Sequence, residues 1–187
     1  TCLSHGELYT VVTNKLSRGK KGTIVAILNG TKSDNIIPIL QQAPSRIRNK
    51  VREITLDLAG NMGLIAKKCF PNAVQVIDRF HVQQLATEAL QEIRIKYRWL
   101  AIDDDNLQME LAKKDKKTYD PEILENGDTV KQLLARSRYL LYKNENRWSN
   151  DQQQRAKLLF ERYPDIEKAY RLSQELSWIF STTTDKI

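Results

Sequence analysis

Two aspartates attract attention because each follows an apolar, strand-like run and precedes a helix-like segment. Asp57 lies near the carboxyl end of the run at 53–58, and Asp78 ends the run at 73–77. In open α/β sheets, ligands gather at the carboxyl ends of the strands. Carboxylate oxygens are the ligands that hard divalent cations prefer, and such cations support phosphoryl transfer. The alternative is that each aspartate only caps the helix that follows it.

His81 follows Asp78 by three residues, so the two side chains can face the same way at the start of a helix. An imidazole there could orient a carboxylate, touch a phosphate or act as an acid or base. The alternative is a structural histidine whose ring bonds a backbone carbonyl. The residues alone leave both interpretations open.

Other catalytic chemistries have little support in the sequence. Gly19 and Gly22 lie between two strand-like runs instead of between a strand and a helix, which disfavours a phosphate-binding loop. No nucleophile elbow is present, and no motif supports a Ser-His-Asp triad. A four-ligand zinc site has poor ligand spacing, because it would need every cysteine and histidine of the chain: Cys2, His5, Cys69 and His81.

The elements that would position these residues read as an α/β layer structure within a 187-residue globular chain. Two strands joined by a short polar loop predict an antiparallel hairpin. Two later strands with a helix between them predict a parallel pair with a crossover. The predicted strands are 10–13, 23–28, 53–58 and 73–77, and the predicted helices are 33–42 (capped by Ser33 or Asp34), 61–69 and 80–99.

Composition changes near residue 100, where aspartates at 103–105 and lysines within 113–117 predict a polar linker. Beyond it the patterns are helical. We expect one helix capped by Asp128 and running to Tyr142, one capped by Ser149 with Gln152 in the capping-box position, and one opened by Pro164. The predicted domains are an α/β core over 1–100 and a helical segment over 101–187.

Positive charge is concentrated in the first half of the chain. Residues 1–99 hold 15 basic and 7 acidic side chains, whereas the remainder holds 15 and 16. Such an excess attracts polyanions, nucleic acid above all, unless it is only a solvated face. The candidate phosphate contacts are Arg46, Arg48, Lys50, Arg52 and Arg79.

Cellular location is predicted from what the sequence lacks. The two cysteines and the absence of a secretory signal favour a reducing, cytoplasmic setting. No apolar run reaches the roughly 20 residues of a membrane span. The chain lacks a starting Met, and we expect it to begin inside a longer protein.

Taken together, several segments resemble the DDE-type transposases of bacterial insertion sequences, in the branch related to Mutator-like transposases. The resemblance rests on Asp57 at its strand end, then Phe-Pro-Asn-Ala at 70–73, then Asp78 and His81 in an Asp-x-x-His signature. Residues 8–14 and 23–30 are similar to the strands that follow the family's first catalytic aspartate. Residues 169–172 resemble part of its helical insertion.

This resemblance implies an RNase H-like mixed sheet with flanking helices, followed by an all-α insertion. It also implies DNA strand cleavage and transfer with two Mg²⁺ or Mn²⁺ ions. The partners would be double-stranded DNA at the element ends and the target, within a homo-oligomer. The setting would be the bacterial cytoplasm, with the protein at the nucleoid when it acts.

The family's active site has three carboxylates, of which Asp57 matches the second. We expect the first upstream of Thr1, on a strand between those at 10–13 and 53–58, and the third, a glutamate, beyond the helical insertion. Asp78 and His81 match the auxiliary signature. With one carboxylate of three, the fragment is expected to be inactive by itself.

Two other functions remain open at this point. One is a non-catalytic DNA-binding module, which predicts salt-dependent binding without metal. The other is a different metal-dependent nuclease of RNase H-like fold, which needs its full acidic set within this chain.

Overall fold

The computed structural model describes residues 7–183, and the chain divides into two compact units between His81 and Val82. The first unit contains β1 (Tyr9–Thr13), β2 (Ile24–Asn29), α1 (Ser33–Leu40), α2 (Ser45–Arg48), β3 (Glu53–Leu56), α3 (Gly60–Cys69) and β4 (Val74–Ile77). Helix α4 (Arg79–Lys114) begins before the division, and the second unit adds α5 (Val130–Arg136), α6 (Asn150–Arg162) and α7 (Pro164–Thr182).

Strands β1 and β2 form the predicted antiparallel hairpin, with Val11 opposite Ile27. Its loop contains a 3-10 turn at Lys15–Ser17, where the side chain of Asn14 accepts a hydrogen bond from the N–H of Leu16. Gly19 has a φ of 81°, which favours glycine. The glycines at 19 and 22 therefore serve the turn.

Strands β3 and β4 are parallel and joined by α3, so the predicted crossover is also confirmed. Glu53 pairs with Val74 at one end, and Leu56 pairs with Ile77 at the other. Each strand has four residues. Strand β3 ends two residues before the expected position 58, and β4 ends at the expected position 77. The two carboxyl ends are consequently level with each other.

The four strands form two separate two-stranded sheets in the described residues, not the single mixed sheet that was expected. The α/β class stands, but β1 and β3 are not hydrogen-bonded neighbours. An ion pair of 3.9 Å joins the ammonium of Lys15 to the carboxylate of Glu53. Apolar strand side chains remain exposed, among them Val25 at 63% and Val74 at 61%.

The core of the first unit lies between α1 and α3 and centres on Ile36, Ile65 and Cys69. The expected cap of α1 is wrong, since the N-cap position is Lys32 and no side chain caps the helix. The hydroxyl of Ser33 instead faces the carboxylate of Asp34 at 3.4 Å.

Helix α4 runs for 36 residues, so the polar linker predicted over 103–117 is wrong up to Lys114. Its sequence contains no glycine or proline, which are the usual helix breakers. The aspartate run is held in place, because Asp105 accepts hydrogen bonds from Lys131 at 2.8 Å and from Tyr119 at 2.7 Å. The chain thus passes residue 100 within an unbroken helix, and the assignment of separate roles to 1–100 and 101–187 remains a proposal.

The described part of the second unit is built around an apolar cluster between its helices. Tyr170 is buried there, its ring packs against Trp148 and Phe160, and its hydroxyl donates to the carbonyl of Lys143 at 2.9 Å. The other buried members are Leu90, Leu133, Leu134, Leu140, Leu141, Ala156, Leu159 and Ile166.

The predicted starts of α6 and α7 are confirmed, with a capping box between Ser149 and Gln152 and Pro164 in the first helical turn. The predicted cap of α5 is wrong. Thr129 caps this helix in a box with Gln132, and the helix ends at Arg136, with a 3-10 turn at Leu140–Tyr142. Thr129 supplies the capping oxygen, and the buried Asp128 instead forms ion pairs with Arg136 and Arg155.

Candidate functional site

The structure places Asp57 and Asp78 side by side at the carboxyl edge of the parallel strands. They directly follow Leu56 and Ile77, which are paired in register. The backbone N–H of Asp78 donates to the carbonyl of Leu56 at 2.7 Å. Because adjacent strands lie about 4.8 Å apart, the two aspartates occupy equivalent positions on neighbouring strands.

Each aspartate also closes a short turn toward the helix that follows it. One carboxylate oxygen of Asp57 accepts the N–H of Ala59 at 3.1 Å, and one of Asp78 accepts the N–H of Phe80 at 3.0 Å. The second oxygen of each has no hydrogen bond or ion pair to the residues described. The capping interpretation is therefore correct for one oxygen, and the other stays available to a ligand.

A shallow cleft opens beside Asp57, between the ends of β3 and β4 and the start of α3. The side-chain amide of Gln75 donates to the carbonyl of Gly63 at 3.3 Å. A Cβ at position 63 would lie 3.4 Å from the amide oxygen of Gln75, so the glycine permits this close approach of α3 to β4. The sequence patterns give no role to Gln75, although a polar residue inside an apolar strand is the signal that marks it.

The two aspartates supply only part of a metal site. Within residues 7–183, no group of three or more His, Cys, Asp or Glu side chains is arranged to hold a metal ion. Hard cations such as Mg²⁺ take six or more oxygen ligands, some of them water. Asp57 and Asp78 are carboxylates of the kind that such an ion takes, but two side chains do not complete its coordination.

Of the four candidate zinc ligands, the structure describes Cys69 and His81, and the surroundings of Cys69 do not support a zinc site. Cys69 is buried in the core of the first unit. Burial raises the pKa of its thiol, while the nearby charge of Arg48 acts in the opposite direction. Cys69 therefore packs as a small apolar side chain. Cys2 and His5 lie outside the described residues.

His81 is half-buried at the start of α4, and its ring meets the ring of Phe80 edge-on at 5.6 Å. Its backbone N–H donates to the carbonyl of Asp78 at 3.1 Å. No hydrogen bond joins the imidazole to Asp78 within the described part of the chain. The two residues share a helical turn, and the role of the ring stays a prediction.

The basic stretch before β3 separates into two kinds of residue. Arg46, Lys50 and Arg52 are exposed and have no ion pair with any described residue. The guanidinium of Arg48 instead donates to the carbonyls of Ala43 at 2.9 Å and Cys69 at 2.6 Å. Arg48 thus ties α2 to the end of α3, and its contact with phosphate stays a prediction, like that of the other basic residues. Arg79, the first residue of α4, is also exposed.

The chain combines an α/β unit that carries paired strand-end aspartates with a helical unit, and its charge favours nucleic acid. A family model described as "Transposase" matches residues 1–187, the whole length of the sequence. The chain therefore belongs to this transposase family. Neither a curated protein nor a solved structure gives a significant match.

Membership of a transposase family carries two consequences for partners and chemistry. Transposases cut and join DNA, so DNA is the partner that membership implies, and divalent metals are typical of such enzymes. No helix within residues 7–183 is long and apolar enough to cross a membrane.

Proposed function

We propose that this chain is part of the catalytic region of a DDE-type transposase, in the branch related to Mutator-like enzymes, and that the complete protein cleaves and transfers DNA strands. The observation that carries the proposal is the register of β3 and β4, which brings Asp57 and Asp78 to the same edge. The family match over residues 1–187 supports the transposase part. Action as a homo-oligomer at the bacterial nucleoid belongs to the same proposal.

An RNase H-like sheet would join the two sheets through one further strand between β1 and β3. In support, β1 pairs with β2 and β3 pairs with β4, while β1 and β3 do not pair with each other. The contact between Lys15 and Glu53 brings the hairpin loop near the start of β3. The order β2–β1–new strand–β3–β4 would make a mixed sheet, antiparallel on one side and parallel on the other.

Asp57 is the residue we assign to a divalent cation, Mg²⁺ or Mn²⁺, through the carboxylate oxygen that does not bond Ala59. Bound there, such a cation would polarise a phosphate oxygen and stabilise negative charge. Asp78 and His81 would act as auxiliary residues that help to position Asp57 at the carboxyl edge of β3 and β4. A two-ion site needs further carboxylates, so we expect the 187 residues by themselves to bind DNA without cutting it.

A non-catalytic DNA-binding module is the second candidate function. It is favoured by the three exposed basic residues without acidic partners, Arg46, Lys50 and Arg52. Such a module would bind DNA equally well with and without divalent cations. A nuclease or transposase would need them for cleavage, and this difference separates the candidates.

The test is Asp57→Asn in the complete protein. Asparagine keeps an oxygen that can accept the N–H of Ala59, but it loses the charge that a hard cation requires. We expect strand cleavage to be abolished while the affinity for DNA is unchanged. The matched control is Asp34→Asn, an exposed aspartate at the start of α1, which should leave cleavage intact. Cleavage by Asp57→Asn at the rate of the unsubstituted protein would reject the assignment.

A further inference from the structure

The second unit contains a buried arginine that has no carboxylate partner among residues 7–183. Arg94 lies in the middle of α4 and is 4% exposed. Its Nε donates to the side-chain oxygen of Gln91 at 2.7 Å, and one terminal nitrogen donates to the carbonyl of Leu134 at 2.7 Å. Both acceptors are neutral. Buried charges in proteins are ordinarily paired with an opposite charge, so this one is unusual.

The charged side chains that act on Arg94 make its surroundings more positive. Burial lowers the pKa of its guanidinium, and the charges of Arg98 and Arg138 lower it further, while Tyr142 acts in the opposite sense. No carboxylate is among these groups. Arg94 therefore lies in the positive field of the two other arginines, and none of the three has an ion pair with a described residue.

The two outer arginines, Arg98 and Arg138, are on the surface. Arg98 lies one helical turn after Arg94 on α4, and it is exposed. The backbone carbonyl of Arg138 accepts a hydrogen bond from Gln91 at 3.2 Å, which fixes this residue against α4. Its guanidinium lies 5.5 Å from the ring centre of Tyr139, a side chain that is 67% exposed. Neither arginine has an ion pair with a described residue.

We infer that Arg98, Arg138 and Tyr139 form a second DNA-contact surface, which binds backbone phosphates through the two guanidinium groups. This inference rests on the proposed function, because it takes DNA as the ligand. Guanidinium forks match phosphate oxygens, and an exposed tyrosine offers a face to a sugar or base. All three side chains lie on the surface, which suits an extended polyanion. We name them the Arg98 surface.

The sequence from residue 100 onward, which includes Arg138 and Tyr139, has no net positive charge. Residues 100–187 hold 15 basic and 16 acidic side chains, and many of the basic ones are paired. Arg155 and Arg136 contact Asp128, Arg162 contacts Glu122, and Arg171 contacts Glu167. Arg98 and Arg138 have no such partner among the described residues, so their guanidinium groups can bind phosphate.

The test measures binding of the 187-residue chain to a mixed-sequence DNA duplex over a series of salt concentrations. Replacing both outer arginines, in Arg98→Gln/Arg138→Gln, should reduce the slope of log affinity against log salt by roughly 2, since each lost phosphate contact removes about 0.9. Arg94 is left in place and both substituted side chains are exposed, so the thermal unfolding temperature should not fall, and the loss of two like charges near Arg94 acts to raise it. The variant Arg98→Lys/Arg138→Lys should restore most of the slope.

The matched control removes the same charge elsewhere in the second unit. Lys113→Gln/Lys168→Gln changes two exposed lysines on α4 and α7 that, like the two arginines, have no ion pair with a described residue, and it should leave the slope unchanged. If both double variants reduced the salt slope equally, the cause would be a general effect of charge, and the Arg98 surface would be overturned.

The Arg98 surface and the proposed function fail in different experiments. An unchanged slope in Arg98→Gln/Arg138→Gln overturns the surface alone, whatever the result of Asp57→Asn. Absence of DNA binding by the unsubstituted chain overturns the surface as well. Retained cleavage by Asp57→Asn in the complete protein overturns only the catalytic assignment.

Discussion

The buried carboxylate of Asp128 accepts a hydrogen bond from Nε of Arg155 at 2.8 Å, and this contact ties the loop before α5 to α6. Its other oxygen contacts the guanidinium of Arg136. Asp128 also makes a contact within its own loop, because the side-chain amide of Asn126 donates a hydrogen bond to its carboxylate at 3.0 Å. One 1%-exposed side chain thus joins three segments of the second unit.

Asp128→Asn should destabilise the second unit. The substitution removes the charge that pairs with Arg155 and Arg136, and loss of one partner of a buried pair costs roughly 3–5 kcal/mol. We expect a loss of about 3 kcal/mol, near the lower limit, because Arg136 is half-exposed and keeps its hydration. Chemical denaturation followed by circular dichroism measures it. The control Glu125→Gln, at an exposed position of the same loop, should lie within error of the unsubstituted protein.

The same carboxylate predicts a pH dependence of stability. Burial raises the pKa of Asp128, but hydrogen bonds from Arg155 and Arg136 outweigh burial, so its pKa in the folded protein is lowered. A lowered pKa contributes stability that is full above the unfolded value of about 3.9 and is lost as the pH falls through the folded value. Unfolding free energies measured at descending acidic pH should therefore converge for the unsubstituted protein and Asp128→Asn. A constant difference between them down to the lowest pH would contradict this assignment.

His81→Ala should slow strand cleavage in the complete protein without abolishing it. The half-buried imidazole contacts Phe80 and makes no hydrogen bond to Asp78 within the described residues. We therefore expect it to position the strand edge and not to hold the cation. Single-turnover cleavage rates would be compared with those of Asp57→Asn. A loss as complete as that of Asp57→Asn would make His81 a direct ligand or acid-base group.

The basic stretch predicts two different effects from neighbouring arginines. Replacing Arg46, Lys50 and Arg52 together by Gln should reduce the salt slope of DNA binding by roughly 3, with no preference for sequence. Arg48→Gln should instead lower the unfolding temperature, because it removes the hydrogen bonds to Ala43 and Cys69. Binding titrations and thermal melting measure these effects. A full salt slope in the triple variant would mean that this face is only solvated.

The RNase H-like proposal predicts that a longer version of the protein, with a strand supplied between β1 and β3, is more stable than the 187 residues. Each backbone group buried without a partner costs roughly 1–3 kcal/mol, and a new central strand would pair several of them. Exposed strand edges also favour self-association. Melting and light scattering on both versions test this. Equal melting temperatures with a monomeric short version would reject the strand placement.

Local signals predict the first unit well. The polar loop around Gly19 and Gly22 separates two β-rich runs, and the hairpin forms there. The apolar runs before Asp57 and Asp78, with a helical pattern between them, predict a parallel pair, and that pair determines the placement of both aspartates. The placement follows from short-range sequence, whereas the assignment of chemistry to the aspartates does not.

Long-range contacts account for the elements that local patterns misassign. The aspartates at 103–105 resemble a linker by composition, but Lys131 lies 26 positions beyond Asp105 and neutralises it within α4. Asp128 resembles a helix cap, yet its partner Arg155 belongs to a different helix. Composition cannot reveal a partner that only the folded chain brings near. The absence of glycine and proline through α4 was the available signal for its length.

The matched register of β3 and β4 has a consequence for how this region can change in length. One residue inserted or deleted within Glu53–Leu56 or Val74–Ile77 would turn the following aspartate to the opposite face of the sheet. The turn after α3, at residues 70–73, lies outside both strands and can change length without that penalty. Evolution can therefore lengthen or shorten the crossover, while each strand must keep its phase for the two carboxylates to remain neighbours.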